Sequence, residues 1–298
     1  MPPLMHADEV PVDSALVRAL VATRFPLWAG LPVTPVASTG TDNAVFRLGD
    51  DLVVRLPRVG WAVDAVAREH RWLPRLAPLL PVAIPEPVGL GHAAHGYPWP
   101  WSVYRWLPGT NPASRTAGPL VDGIAGFITA LRAVDTTGAP ANGRGVPLAS
   151  RDGATRDAIR SLTGLVDTDL VTDAWEAALE APEWDGPPVW AHGDLSPGNL
   201  VASDGVLSAV VDWSGVGVGD PACDLIVAWN LLVGDARAAL RTALDVDAAQ
   251  WARGRGWALS VALLQLPYYR LSNPALAANA RHVIAEVTAD HTTSGCRR

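Results

Sequence analysis

The chain contains no lysine: all 23 of its basic side chains are arginine. That absence excludes any mechanism requiring a lysine amine and leaves each cationic task to a permanently charged guanidinium. Cysteine is nearly as scarce. Cys223 and Cys296 stand far apart, one in an apolar stretch and one in a polar tail, which argues against a disulfide framework. No apolar run approaches the roughly 18 residues needed to span a bilayer. The segment Met1 to Val10 carries Asp8 and Glu9 and no apolar core, unlike a secretory signal. No membrane partner is expected, and the expected location is the cytoplasm. A basic cluster is also missing, and the net charge is −7, so nucleic acid is not an expected partner.

The 298 residues are 49% hydrophobic, enough for one large core or two moderate ones. Asp13 reads as the N-cap of a helix over residues 13–24. Short β-rich runs follow at Val33 to Ala37, Ala44 to Leu48 and Leu52 to Leu56, with Gly49-Asp50-Asp51 as a hairpin connection. A helix over 64–76, a proline-rich crossing and a strand from Trp101 to Trp106 complete this part. After Pro108-Gly109 the pattern predicts helices near 119–133, 151–163, 170–180, 220–233, 247–266 and 274–289, with a frayed tail from His291. The fold class is α+β, with a small antiparallel β-rich lobe over residues 1–106 and a larger helical lobe over 107–298. Charge divides the same way. Residues 106–298 hold 21 acids against 14 arginines, whereas the preceding part is balanced.

The densest chemistry lies in Val189 to Val201, where His192-Gly193-Asp194-Leu195-Ser196-Pro197-Gly198-Asn199 interrupts two apolar runs. Asp204-Gly205 turns the chain back into a strand ending at Asp212. If residue 203 faces 206, then 199 faces 210, which brings the Asn199 amide near the Asp212 carboxylate. One carboxylate and one amide suit magnesium, which keeps waters and phosphate oxygens in its shell. Asp194 is then a free carboxylate on the same loop and a candidate base. In the first part, Val66, Glu69, Leu73 and Leu76 share one helical stripe, so Glu69 faces apolar surroundings. Arg55 is likewise a charge inside an apolar strand. Each supplies the partner that the other lacks.

His192 to Asn199 matches the H-x-D-L-x-P-x-N catalytic loop of kinases. With Val211-Asp212-Trp213 and Gly219-Asp220-Pro221-Ala222-Cys223-Asp224-Leu225, the chain resembles the aminoglycoside phosphotransferase family. Gly40-Thr41-Asp42-Asn43, Val53 to Pro57 and Glu69-His70 resemble that family's N-terminal lobe, so the likeness covers nearly the whole chain. The resemblance implies a bilobal kinase-like fold and an O-phosphotransferase using ATP, or GTP, with Mg²⁺. It implies Asp194 as catalytic base, Asn199 and Asp212 as metal ligands, and Arg55 paired with Glu69 at the phosphates, where kinases normally use lysine. Trp213-Ser214 replaces the Phe-Gly that follows the metal-binding aspartate in kinases. Ser38, Thr39 and Gly40 are placed to cover phosphates with their backbone N–H groups, Tyr104 and Trp106 to meet the adenine ring through backbone groups, and Ser196 to stand where relatives carry Lys or His. Asp220 reads as a helix cap and His192 as a brace. Trp99, Trp101, Trp175, Trp184, Trp251 and Trp257 are candidates for an acceptor pocket.

The acceptor is expected to be a small molecule, cationic or polyhydroxylated, such as an aminoglycoside or another antibiotic. A metabolite such as choline, homoserine or a sugar, and a non-catalytic nucleotide-binding role, stay open as alternatives. A monomer or weak homodimer is expected.

Overall fold

Asp13 opens the first helix, α1 (Ser14–Arg24), by accepting the Leu16 N–H, and Val17, Leu20 and Val21 form its buried stripe. The computed structural model describes residues 8–37, 40–112 and 118–295. After α1 come β1 (Val33–Pro35), β2 (Asn43–Leu48), β3 (Leu52–Pro57), helix α2 (Val63–Leu76), β4 (Pro87–Gly91) and β5 (Trp101–Arg105). The strands form one antiparallel sheet in the order β1-β2-β3-β5-β4. Alternation decides which face each side chain joins. Ala44, Phe46 and Leu48 of β2 and Leu52, Val54 and Leu56 of β3 pack with Val17, Leu20 and Val21 into the smaller core. The same period puts Arg55 on the opposite face, toward α2 and its buried Glu69.

Strand β4 was hidden in the proline-rich crossing. Pro87 and Gly89 have poor strand propensity, but an edge strand that begins with proline loses no essential donor. Gly91 is there because the Trp101 ring occupies the space: a Cβ would lie 1.9 Å from the indole. Trp101 is fully buried, so Gly91→Ala should cost about 1–3 kcal/mol through overpacking. Thermal unfolding is the check, and an unshifted midpoint would contradict this packing.

The larger part contains α3 (Val121–Arg132), α4 (Asp152–Ser161), α5 (Thr168–Leu179), β6 (Val189–Ala191), β7 (Leu200–Ser203), β8 (Val206–Val210), β9 (Gly217–Gly219), α6 (Val227–Asn230), α7 (Gly234–Ala243), α8 (Ala248–Tyr269) and α9 (Pro274–Gly295). Strand β6 pairs with β9 and β7 with β8, forming two small ribbons on the helical body. Trp175, Trp190, Trp213, Trp229 and Trp257 are fully buried in its core.

Three helical expectations change. The helix expected over 220–233 is a 3-10 segment, Pro221–Ile226, followed by the short α6. Helix α7 shows only the sparse stripe Ala236 and Leu240, too little to stand out in sequence. Helix α8 runs past Pro267 to Tyr269, where a proline near the end forfeits little. The tail expected to fray is helical to Gly295, and residues 296–298, with Cys296, lie outside the described residues.

Candidate active site

The loop 192–199 leaves β6 at a glycine. Gly193 has φ +81°, the left-handed region, and a Cβ there would meet the Asn142 side-chain amide at 2.7 Å. This turn aims two successive backbone N–H groups at Asp224, which accepts from His192 at 3.0 Å and from Gly193 at 2.7 Å. Asp224 is fully buried, and burial raises its carboxyl above the usual value against the pull of those two bonds. His192 braces the loop from inside. Its Nδ1 accepts the Asp194 N–H at 3.2 Å, so Nε2 carries the proton donated to the Val211 carbonyl at 3.0 Å. Asp224→Ala would strand two buried donors at about 1–3 kcal/mol each. A lowered melting temperature with turnover falling alongside is expected. An unshifted midpoint would mean that the loop is held elsewhere.

The β7–β8 ribbon brings the two anticipated oxygen donors closer than simple register suggests. Ser203 faces Val206 as expected, but a bulge between Val201 and Ala202 makes Leu200 face Val210. One extra residue on β8 therefore shifts the expected pairing of 199 with 210 by one position. The Asn199 carbonyl accepts from the Val211 N–H at 2.8 Å, so Asn199 sits immediately beside Asp212. Asp212 has φ +59°, an uncommon setting for a non-glycine residue, and its carboxylate accepts the Ser214 hydroxyl at 2.9 Å.

Arg55 crosses to this carboxylate. One guanidinium nitrogen reaches Glu69 at 2.5 Å, and the other binds Asp212. Glu69 is 2% exposed, and its second oxygen accepts the Tyr104 hydroxyl. Burial works against the Arg55 charge, but Asp212 and Glu69 outweigh it and raise its pKa. For Asp212 burial would raise the pKa, while Arg55 and Ser214 hold it below the ordinary carboxylate value. A second arm, from Arg68 to the Ser214 carbonyl at 2.6 Å, also ties α2 to the Asp212 turn.

Residues 33–257 match the phosphotransferase enzyme family, most of the chain. The chain belongs to that family. No curated protein matches it. Solved structures share its fold. A GDP and kanamycin complex of APH(2")-IIia has 19% identity and a TM-score of 0.72, covering 92% of this chain and 98% of that one. A GDP complex of aminoglycoside 2'-phosphotransferase-IIIa has 17% identity and a TM-score of 0.71, covering 94% and 100%. The macrolide 2'-phosphotransferase MphH from Brachybacterium faecium has 24% identity and a TM-score of 0.59, covering 93% and 98%.

In this phosphotransferase, Asp194 stands at the mouth of the loop, 37% exposed. One carboxylate oxygen accepts from the Asn199 amide nitrogen at 3.0 Å, and the other accepts from Arg144. Because Asn199 spends its nitrogen on Asp194, its side-chain oxygen is the atom left for a cation. Among the described residues no group of three or more His, Cys, Asp or Glu could hold a metal. A donor set of one carboxylate and one amide oxygen fits magnesium that arrives with a nucleotide, because such ions are bound mainly through phosphates and water.

The other anticipated residues are distributed unevenly. Ser38 and Thr39 lie outside the described residues. Gly40 is exposed, and the following Thr41 hydroxyl meets Tyr269 of α8 at 3.0 Å. Ser196 begins the short 3-10 turn Pro197–Asn199 and accepts the Asn199 N–H with its carbonyl. Tyr104 points to Glu69. Trp106 is not brought into this cluster: its ring packs under Arg47, whose guanidinium carbon lies 4.0 Å from the centroid. The N–H groups of Arg105 and Trp106 are used by Glu86 and Asp51, so they cannot meet a base without first leaving those partners. Asp220 caps Ala222 and pairs with the buried Arg253 at 2.7 Å. Of the tryptophans proposed for a pocket, Trp101, Trp175, Trp251 and Trp257 are core residues.

Arg144, Asn142 and Asn111 also hold the loop, and nothing in the sequence pattern singles them out. Asn142 donates to the Ala191 carbonyl at 3.0 Å and accepts the Arg144 N–H at 2.7 Å. Asn111 donates to the Gly198 and Leu200 carbonyls, gripping the stretch that carries Asn199. The only sequence signal was polar side chains in glycine-rich turns, which is common in any loop.

Proposed function

We propose that this phosphotransferase moves the γ-phosphoryl group of ATP or GTP to a hydroxyl of a small molecule, an aminoglycoside or another antibiotic, with Asp194 as the base. The observation that carries the reading is the orientation of Asp194. Asn199 and Arg144 each hold one of its two oxygens while more than a third of the side chain stays open to solvent and to an incoming hydroxyl. In the transfer, the bond between the γ-phosphorus and the β–γ bridging oxygen breaks as the bond to the acceptor oxygen forms. The acceptor proton passes to Asp194 and then to solvent, and the nucleoside diphosphate leaves with the bridging electron pair. Positioning supplies much of the catalysis of such a step. Asn199 and Asp212 would hold Mg²⁺, which when bound offsets charge on the phosphate oxygens. Arg55, set by Glu69 and Tyr104, is available to the phosphates once it leaves Asp212.

Residues 1–106 would supply the nucleotide side and 107–298 the acceptor side. The acid excess of the second part favours a cationic or polyhydroxylated acceptor by lowering the energy of approaching cations. Release of the nucleoside diphosphate across polyamine antibiotics, neutral macrolides and anionic sugars, at two salt concentrations, tests this. Turnover of a polyamine or polyol that weakens with salt is expected. Exclusive turnover of an anionic acceptor would overturn the acceptor class.

A further inference from the structure

The chemistry of the transfer site leaves one task unassigned. A phosphoryl group in flight carries negative charge on three oxygens, and a fixed cation or several N–H donors must face it. The chain has no lysine, and the loop 192–199 contains neither Lys nor Arg. Ser196 offers a hydroxyl, a neutral donor. Arg55 is engaged through both terminal nitrogens, by Glu69 and Asp212, and Arg68 is held on the Ser214 carbonyl.

Arg144 is different. It is carried by the crossing after α3, where Asn142 N–H donates to the Val218 carbonyl and Gly145 carbonyl accepts from Asp220 N–H. That crossing lies against β9 like an added strand, with an isolated bridge between Ala141 and Val218. The backbone of Arg144 is thus fixed by the same ribbon that begins the catalytic loop. Its guanidinium uses a single nitrogen, Nη1, to donate to the Gly193 carbonyl at 2.8 Å and to the Asp194 carboxylate. No hydrogen bond within the described residues engages Nε or Nη2, and the side chain is 33% exposed. Asp194 and, more weakly, Asp212 both favour its charge, which outweighs the burial that opposes it. A guanidinium is therefore anchored by one corner at the base, and its other donors remain available.

We propose that Arg144 is a catalytic residue of the transfer site: its Nε and Nη2 donors stabilise the phosphoryl group between nucleotide and acceptor, while Nη1 holds Asp194 in place. The inference rests on the phosphotransferase reading above and assigns to the loop 192–199 a cation that none of its own residues supplies. Water serves as acceptor in the minimal reaction. The γ-phosphorus bond to the bridging oxygen breaks, a bond to the water oxygen forms, the water proton passes to Asp194, the nucleoside diphosphate leaves with the bridging electron pair, and inorganic phosphate leaves with it.

Because the acceptor is unidentified, the test uses hydrolysis of ATP and of GTP without acceptor, followed by phosphate release. It also uses binding of ADP or GDP alone and with aluminium fluoride, a mimic of the phosphoryl group in transit. The variants are Arg144→Ala, Arg144→Gln and Arg144→Lys, each with its melting temperature. Arg144→Gln retains a neutral donor for Gly193, so it stays informative if Arg144→Ala unfolds. We expect kcat to fall by about 100-fold or more in Arg144→Gln, against the 1,000- to 100,000-fold seen for arginine fingers. Arg144→Lys should recover part of the loss, KM should change by less than about threefold, and diphosphate affinity should be retained while the gain from aluminium fluoride disappears. Hydrolysis unchanged or raised in folded Arg144→Gln, or an undiminished fluoride gain, would overturn the role. Wild-type protein that neither binds nor hydrolyses either nucleotide would instead sink the phosphotransferase reading itself.

Discussion

Asp194→Asn is expected to lower phosphoryl transfer by about 100- to 10,000-fold, the range of general-base contributions. The lower end is favoured, because a loose transition state needs little early proton removal. The contacts of Asp194 add a complication. The new amide can keep its oxygen on Arg144 only by turning its NH₂ toward the Asn199 NH₂ at a separation now held by a 3.0 Å hydrogen bond. Two donors then face each other, and the escape is a flip of Asn199 that points its NH₂ where a cation would sit. Asp194→Ala avoids the conflict, because it removes the carboxylate without supplying a competing donor. Both variants should lose transfer, and Asp194→Ala should keep nucleotide affinity within about threefold in a binding titration, since a positioned base touches acceptor and not nucleotide. Turnover by folded Asp194→Ala within about threefold of wild type would show that another group takes the proton, outside the range for a positioned base.

Arg55→Ala should cost both stability and nucleotide binding. Removing one partner of a buried ion pair costs about 3–5 kcal/mol, and Glu69 is almost wholly buried. The lower part of that range applies here because the Tyr104 hydroxyl continues to donate to Glu69. The distinguishing variant is Arg55→Ala with Glu69→Gln, which removes the stranded charge. It should regain much of the lost melting temperature while the KM for nucleotide stays high. Arg55→Lys keeps the charge and should retain more activity than Arg55→Ala, although an ammonium lacks the fork that lets two separate nitrogens grip Glu69 and Asp212. Normal nucleotide kinetics in folded Arg55→Ala would remove Arg55 from the phosphate site.

Much of this arrangement was legible in the order of the residues. The apolar run Leu52 to Leu56 and the helical stripe through Glu69 each left one charge in apolar surroundings, which paired Arg55 with Glu69, and the structure joins them. The Asp204-Gly205 turn brought Asn199 near Asp212. The bulge that shifted them by one residue left no mark, because a bulge depends on how two strands meet and not on propensity. Arg144 was illegible for a similar reason. It reaches Asp194 from a crossing 50 positions earlier, and only the fold of that crossing against β9 makes the two adjacent. Asp224 entered only as part of the stretch Gly219 to Leu225 that carries the family resemblance, and its two backbone partners belong to a left-handed turn at Gly193 that no local pattern specified. Trp106 follows the end of β5, and the packing of its ring on Arg47 is a tertiary contact that no local pattern specifies.

The proposed passage of a γ-phosphoryl group to a small-molecule hydroxyl at Asp194 can be followed directly. Its most direct test supplies ATP and GTP radiolabelled in the γ-phosphate, with Mg²⁺ and a panel of aminoglycosides, macrolides, choline, homoserine and sugars, and follows the label. Label is expected on a hydroxyl of one acceptor class with wild-type protein, and is expected to be lost in folded Asp194→Ala that still binds nucleotide. Label recovered on acceptor at undiminished rate with Asp194→Ala would contradict the proposed transfer, as would wild-type protein that binds nucleotide and labels no member of the panel.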